Sequence, residues 1–198
     1  MMSDISILKE MIQETAIVLL KEQLEGTHSR YSVTLEERNE NYAIEICNMP
    51  NHDEVIIIKA DTFLAPRDIF KGSKGECKRA DFVIIANSER YKIILCIELK
   101  KTKGSQKAII QQLTGAQCFV AYCKEIGKRF WDKDSFDGDY QYRFVSISQI
   151  KTSISKVRTQ ISRSKEKENN AKIHDQPELM LKITSPKNPL YFDQLIGE

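Results

Sequence analysis

Hydrophobic patterning predicts an α/β fold for this chain, with a central mixed sheet flanked by helices. Three apolar runs, "EVIIIKA", "RADFVIIA" and "YKIILCIELK", are typical of buried strands. Residues 105–126 instead repeat apolar side chains at helical intervals. A chain of 198 residues with 41% hydrophobic content can bury one good core. We therefore expect one α/β body over residues 1–148, with a basic helix and tail over residues 149–198 packed on it.

The N-terminal part predicts a helix followed by a hairpin. Residues 5–25 carry apolar side chains at helical spacing and Gly26 follows them, which predicts an amphipathic helix. The runs "RYSVTLEE" and "YAIEIC" alternate in polarity on either side of the polar "RNEN", as in a β-hairpin. The fuller apolar run near residues 54–60 suits a more deeply buried strand.

The middle of the chain predicts a long loop, a second hairpin and a second helix. Residues 61–78 mix Pro, Gly and Lys and read as a surface loop. Strands near residues 80–86 and 91–100 flank the turn-like "NSER" and should pair antiparallel. A helix over residues 105–126 should end at Gly127, and Gly115 inside it suggests a close-packing point.

The C-terminal part predicts one more core strand, at residues 142–148, and then a helix. Residues 150–167 place Ile150, Ile154, Val157 and Ile161 on one face and basic residues elsewhere, which predicts a docked helix with a basic exterior. A short strand and a Pro-interrupted tail complete the chain. His28, His52 and His174 lie among polar neighbours and are expected at the surface.

The segment "CIELKK" places charged residues where a buried strand should continue. Glu98 and Lys100 are two residues apart and therefore share a face. If the hairpin turns at Glu89 and Arg90, Asp81 lies opposite Glu98 with the Cβ atoms about 5 Å apart. The same acid-x-Lys spacing at Glu76 follows a loop, so only the copy at Glu98 conflicts with its apolar surroundings.

Two carboxylates this close repel each other unless a cation lies between them. Oxygen-only ligands favour a hard divalent ion, so the sequence predicts a Mg²⁺ site, with Mn²⁺ as the alternative. Lys100 on the same face can orient or deprotonate a water or stabilise charge on a phosphate. Asp61, just after "EVIIIKA", is a rival for the first acid.

The run "RADFVII…KIILCIELKK", with a following helix that bears Gln111 and Gln112, resembles the core of the PD-(D/E)XK nuclease superfamily. This resemblance implies the restriction-endonuclease-like fold, with an αβββαβ core. It covers residues 54–148, and the N-terminal hairpin and the C-terminal helical and strand extension lie outside it. Ala80 stands where the motif has its proline.

The resemblance also implies roles for individual residues. Asp81 and Glu98 would bind the metal, the Leu99 carbonyl would be a further ligand, and Lys100 would be the catalytic lysine. Gln112 or Gln111 would support the site. The acid that some members carry on the first helix could be Glu14 or Glu22.

Basic residues flank the predicted site from two chain segments, although the formal net charge is only +2. Such clusters can contact a nucleic-acid backbone. The expected nucleic-acid-binding residues are Lys74, Lys78, Arg79, Lys101, Lys103 and Lys107.

We therefore expect a Mg²⁺-dependent DNA endonuclease, with RNA and exonucleolytic action as open alternatives. A symmetric homodimer would suit cleavage of a duplex. Five cysteines without a CxxC pair, and an N-terminus that lacks an apolar leader, predict a cytoplasmic protein with no membrane association. The competing hypothesis is an inactive nuclease-fold module that binds nucleic acid or a protein partner.

Overall fold

The computed structural model shows an α/β protein with two mixed β-sheets. It describes residues 2–25, 28–37, 42–63, 66–102, 104–131, 136, 138–149, 160–162, 173–186 and 189–198. Three α-helices lie within these ranges, at Asp4–Met11 (α1), Gln106–Phe130 (α2) and Phe192–Ile196 (α3). The predicted α/β class is thus confirmed.

Ten strands lie within the described ranges. They are β1 (Lys21–Glu25), β2 (His28–Glu37), β3 (Tyr42–Met49), β4 (Val55–Lys59), β5 (Phe82–Asn87), β6 (Lys92–Lys100), β7 (Gln141–Ser148), β8 (Gln160–Ser162), β9 (Leu181–Thr184) and β10 (Leu190–Tyr191). One sheet has the order β1-β2-β3-β10 and the other has the order β4-β5-β6-β7-β9-β8. In the larger sheet β4, β5 and β6 are antiparallel neighbours, whereas β6, β7 and β9 run parallel.

The larger sheet is the middle layer of the molecule. Alternate residues of its central strands point to opposite sides, so β6 contributes Leu95 and Ile97 to one core and Ile94 and Cys96 to the other. The first core is shared with β2, β3 and α3, and the second with α1 and α2. Helices α1 and α2 therefore cover only one face, whereas the smaller sheet and α3 cover the face on which flanking helices were expected.

The predicted helix over residues 5–25 is wrong beyond Met11. The chain becomes extended at Ile12, Ile17 bridges to Ile58, and the Val18 N–H donates to the Ile57 carbonyl at 2.8 Å. β-Branched residues favour extended backbone, and pairing with β4 and β2 satisfies their backbone groups. Tertiary pairing thus outweighs the helical spacing of the apolar residues.

The C-terminal segment contributes strands to both sheets. β9 and β8 extend the larger sheet beyond β7, and β10 pairs parallel with β3. The predicted helix over residues 150–167 is wrong at Gln160–Ser162, which form strand β8. The rest of that predicted helix lies outside the described residues.

Two smaller expectations about single residues are also wrong. His174 is only 1% exposed, and its Nε2 lies 2.7 Å from the Leu195 carbonyl. Helix α2 continues past Gly127 to Phe130, and the missing side chain at Gly127 leaves room for the Phe136 ring. In the described part of the chain, no helix has the length and apolar character that crossing a membrane requires.

Candidate metal centre

The hairpin of β5 and β6 brings Asp81 and Glu98 together. Phe82 pairs with Ile97, and the pairing continues to Asn87 with Lys92, which is the register expected from a turn at Glu89 and Arg90. Asp81, one residue before β5, therefore lies opposite Glu98. Its Oδ2 accepts a hydrogen bond of 2.6 Å from the Leu99 N–H. The predicted juxtaposition of the two acids is thus present.

Glu98 is a buried carboxylate with an incomplete set of partners. It is 0% exposed, and Asp81 is 8% exposed. One oxygen, Oε1, forms an ion pair with the Lys100 ammonium, whose side chain is 22% exposed. The other oxygen, Oε2, has no hydrogen-bond partner among the residues that the structure describes. A buried carboxylate oxygen without a partner costs free energy unless a cation or a donor meets it.

The backbone of Leu99 faces the same place. In a strand, the N–H and the C=O of one residue point to the same neighbouring strand. Since the Leu99 N–H points to Asp81 while the Lys100 carbonyl accepts from Gln149 on the β7 side, the Leu99 carbonyl is directed towards Asp81. The Leu99 side chain is buried on the opposite face of the sheet. This direction of the carbonyl fits the expected role of Leu99 as a backbone ligand.

Burial and repulsion from nearby carboxylates both act on the two acids. Burial raises the pKa of Asp81 above its ordinary value, although the Leu99 N–H and the Lys100 charge oppose the rise. Burial also raises the pKa of Glu98 and the neighbouring Asp81 carboxylate raises it further, although the Lys100 ammonium and the Asp81 N–H oppose the rise. The pair therefore holds protons more tightly than exposed carboxylates do, because burial disfavours the charged form and nearby carboxylates repel it.

Two further acids reach Asp81 from other elements. One carboxylate oxygen each of Glu37, Asp61 and Asp81 lies within 4.8 Å of the others. Glu37 is the last residue of β2, and Asp61 lies in the short 3₁₀ turn that follows β4. Burial raises the pKa of Asp61, Lys59 opposes the rise and Glu37 adds to it. The oxygens of this cluster suit a hard divalent cation.

Sequence reasoning missed Glu37 and ranked Asp61 as a rival to Asp81, whereas the structure places both beside Asp81. A signal for Glu37 was present, because it continues the inward-facing series of Val33 and Leu35 in β2. Asp61 is close because the Ala60 N–H donates to the Asp81 carbonyl at 2.9 Å. Because a long loop separates Ala60 from Asp81 in the sequence, the spacing of the residues did not predict this pairing.

The two acids expected on the first helix lie elsewhere. Glu14 lies in a 3₁₀ turn with no buried residues, and Glu22 lies in the exposed strand β1, where Tyr31 donates to it at 3.3 Å. Neither belongs to the acidic cluster, and helix α1 ends before both of them. The expectation for Glu14 or Glu22 is therefore wrong.

A segment that we call the basic loop, residues 66–79, borders the acids. A groove of about 440 Å³ is lined by Asp61 from the acidic cluster and by Arg67, Lys78 and Arg79 from this loop. The Arg79 guanidinium lies over the Phe63 ring, 5.2 Å from its centroid. Glu76, the other acid-x-Lys residue, closes the loop by accepting from the Gly72 and Lys74 N–H groups at 2.9 and 2.8 Å. Positive charge thus lies beside Asp61 in one open groove.

Helix α2 holds the basic loop in place. Gln111 donates to the Lys74 carbonyl at 2.6 Å and accepts from the Lys78 ammonium at 2.8 Å. Gly115 has no side chain where the Lys78 carbonyl packs, and a Cβ there would lie only 1.9 Å from that oxygen. Gln112 lines the groove together with Asp61. The two glutamines thus differ in position: Gln111 anchors the loop and Gln112 faces the open groove.

The remaining expected nucleic-acid-binding residues lie near the end of β6. Lys101 follows β6 directly and is half-buried, and Lys107 is exposed in the first turn of α2. Lys103 lies outside the described residues. In comparisons with protein-family models, curated proteins and solved structures, nothing matches this chain.

Proposed function

We propose that this protein is a metal-dependent nuclease that hydrolyses phosphodiester bonds in DNA. Asp81 and Glu98 hold a Mg²⁺ ion, with Mn²⁺ as a substitute, and Lys100 is the catalytic lysine. The observation that carries the proposal is the buried Glu98 carboxylate, whose Oε2 has no partner among the described residues while Asp81 lies opposite and Lys100 shares its face. A divalent cation would compensate both acids at once.

The order of the elements also supports the proposal. Helix α1, strands β4, β5 and β6, helix α2 and strand β7 occur in the chain order of the αβββαβ core of the PD-(D/E)XK superfamily, with β1, β2 and β3 inserted between α1 and β4. Asp81 and Glu98 lie at the motif positions of that core. We therefore extend the proposal to a restriction-endonuclease-like fold.

Each side chain has a distinct task in the proposed reaction. Bound Mg²⁺ would neutralise charge on the phosphodiester and lower the pKa of a water. The Lys100 side chain is 22% exposed, so its ammonium can turn from Glu98 towards that water or towards the charge that develops on the phosphate. The Leu99 N–H keeps Asp81 oriented through a hydrogen bond to Oδ2, which leaves Oδ1 for the cation.

Nucleic acid is the proposed substrate because cations line the groove that begins at Asp61. Arg67, Lys78 and Arg79 all line it. A strand of DNA placed there would release counterions from its phosphates while its backbone meets the acids. A duplex substrate would suit a homodimer in which each copy cuts one strand.

The test is a cleavage assay on supercoiled plasmid, linear duplex, single-stranded DNA and RNA, with Mg²⁺, Mn²⁺ or EDTA. Asp81→Asn and Lys100→Ala should each abolish the metal-dependent cutting. Glu89→Gln and Lys92→Ala, at the other end of the same hairpin, are the matched controls and should cut normally. Binding of nucleic acid without cutting in the wild type would refute the nuclease and favour the inactive module.

A further inference from the structure

The basic loop, residues 66–79, presents two adjacent apolar side chains to solvent. Ile69 is 79% exposed and Phe70 is 51% exposed. Single exposed apolar residues are common at protein surfaces, but here two large ones stand side by side in a loop of otherwise polar and charged character. A partner that covers the pair would gain the free energy of burying both side chains.

The backbone under these two side chains is held in place. The Ile69 and Phe70 N–H groups both donate to the Pro66 carbonyl, at 3.2 and 2.9 Å, which closes a tight turn. The Cys77 Sγ donates to the Phe70 carbonyl at 3.6 Å. Helix α2 anchors the loop beyond this turn through Gln111. Because the loop is already ordered, a ligand does not have to order it on binding.

The charges around the pair favour an anionic partner. The basic loop carries five basic and two acidic residues, and Arg67 and Lys71 lie within two residues of the apolar pair. One of the two acids, Glu76, is occupied by backbone N–H groups of the loop itself. Nucleic acid combines anionic phosphates on the outside with apolar, stacked bases inside, so it can meet both the charges and the apolar pair.

The pair also lies beside the groove that leads to the candidate metal centre. Cys77, whose Sγ contacts the Phe70 carbonyl, lines that groove together with Arg67 and Asp61. A duplex laid along the groove would therefore cover the apolar pair as well. An anionic membrane surface would meet the same charges, but two apolar side chains give a bilayer little area to bury.

We propose that Ile69 and Phe70 form an apolar wedge that inserts between neighbouring bases of a DNA duplex, while the basic residues of the loop hold its phosphates. The inference rests on the proposed function, because it takes nucleic acid as the substrate. A wedge of this kind partly unstacks one base step and bends the duplex. Pyrimidine–purine steps such as TA unstack most easily, whereas A-tracts are stiff, so the preferred substrate is a duplex with a flexible step at the groove.

The test measures base unstacking at low salt in EDTA, where the proposed cleavage cannot proceed. The probes are two DNA duplexes that carry 2-aminopurine, one at a TA step and one within an A-tract, because the fluorescence of this base rises when it loses its stacking neighbours. We expect the wild type to raise the fluorescence at the TA step more than in the A-tract. Phe70→Ala should abolish the rise and weaken duplex binding at least about fivefold.

Two further variants separate the wedge from a general loss of apolar surface. Phe70→Leu keeps a side chain that can enter a base step, so it should keep most of the fluorescence rise. Phe130→Ala is the matched control, because Phe130 is also exposed but lies at the far end of α2, about 27 Å along the helix from Gln112 in the groove. This control should bind and unstack the duplex like the wild type.

A wild type that binds no duplex, that leaves the 2-aminopurine signal unchanged, or that is matched by Phe70→Ala would overturn the inference. Phe70-dependent sedimentation with vesicles of phosphatidylserine and phosphatidylcholine, without a Phe70-dependent signal on DNA, would assign the pair to a membrane surface instead. Phe70→Ala is scored only if its circular dichroism and melting temperature match the wild type. If it fails to fold, Ile69→Ala decides the matter, because Ile69 is the more exposed of the two.

The two proposals fail in different ways. If the wild type unstacks the duplex through Phe70 but cuts no nucleic acid with Mg²⁺ or Mn²⁺, the nuclease proposal fails and the wedge stands. If the wild type cuts nucleic acid in an Asp81-dependent way, while Phe70→Ala leaves the fluorescence and the affinity unchanged, the nuclease stands and the wedge fails.

Discussion

Replacing Gly115 by Ala tests whether helix α2 positions the basic loop and, through it, Asp81. A Cβ at this position would lie 1.9 Å from the Lys78 carbonyl oxygen and 2.8 Å from its carbonyl carbon. Both atoms belong to the backbone, so no flexible side chain can move aside. The loop must retreat from the helix by about 1 Å or more, since Cβ contacts below about 3 Å are essentially absent from folded proteins.

Two opposing effects decide whether Gly115→Ala raises or lowers the free energy of unfolding. In an exposed helix interior, replacing Gly by Ala stabilises a protein by about 1 kcal/mol. Overpacking a closed contact costs about 1–3 kcal/mol. Since the contact here is backbone on backbone, we expect the second effect to win and the variant to lose up to about 2 kcal/mol of its free energy of unfolding.

The assay is urea unfolding, followed by Mn²⁺ titration of the folded variant. Thr114→Ala changes the exposed neighbour on the same helix and serves as the control, because it alters helix propensity without approaching the loop. We expect Gly115→Ala to be less stable than the wild type and to bind Mn²⁺ more weakly, because Asp81 lies three residues after Lys78. A variant about 1 kcal/mol more stable than the wild type, with unchanged Mn²⁺ affinity, would refute the reasoning.

Three other predictions concern the acids and two anchoring contacts. Because burial raises the pKa of Asp81 and Glu98 in the folded state, the folded protein binds more protons than the unfolded chain, so metal-free stability should fall as the pH rises from about 5 to about 8. Urea unfolding should show this decline, Mg²⁺ should reverse it at the higher pH, and an equal decline in Asp81→Asn would contradict it. Gln111→Ala removes two hydrogen bonds to the basic loop and should cost about 1 kcal/mol; faster limited proteolysis within that loop would report it, and unchanged proteolysis would count against it. Tyr140→Phe removes the 2.7 Å hydrogen bond that Tyr140 donates to Asp4 and should lower the free energy of unfolding by about 1 kcal/mol in thermal melts. When Asp4→Asn is added to Tyr140→Phe, the further loss should be smaller than the loss that Asp4→Asn causes in the wild type.

Local patterns were sufficient for the central hairpin and for helix α2. Apolar runs bounded by turn residues placed β4, β5 and β6 within about two residues, because a strand buried on both faces needs an unbroken apolar sequence. The short turn then determined the register, which is why Asp81 could be placed opposite Glu98 before the fold was known. Glu98 stood out for the same reason, since its charge interrupts that apolar sequence.

Local patterns failed where a distant partner decided the conformation. Residues 12–25 have helical spacing, yet Ile17 and Val18 pair with β4 and the following residues pair with β2. His174 has polar neighbours in sequence but lies against α3 in space. In each case the backbone or ring nitrogen gains a hydrogen-bond partner that lies far along the chain, and no spacing within the segment encodes it.

The residues of the candidate metal centre differ in the same way: some were predictable from local patterns and others were not. Asp81, Glu98 and Lys100 lie on one hairpin, so the alternation of side chains and the length of one turn were enough to bring them to a common face. Glu37 and Asp61 reach Asp81 only after the smaller sheet has packed on the larger one and after β4 has paired with β5 across the basic loop. Contacts closed by short turns cost little chain entropy, and they can be predicted from the sequence. Contacts closed by long loops depend on how whole layers pack, and only the tertiary structure reveals them.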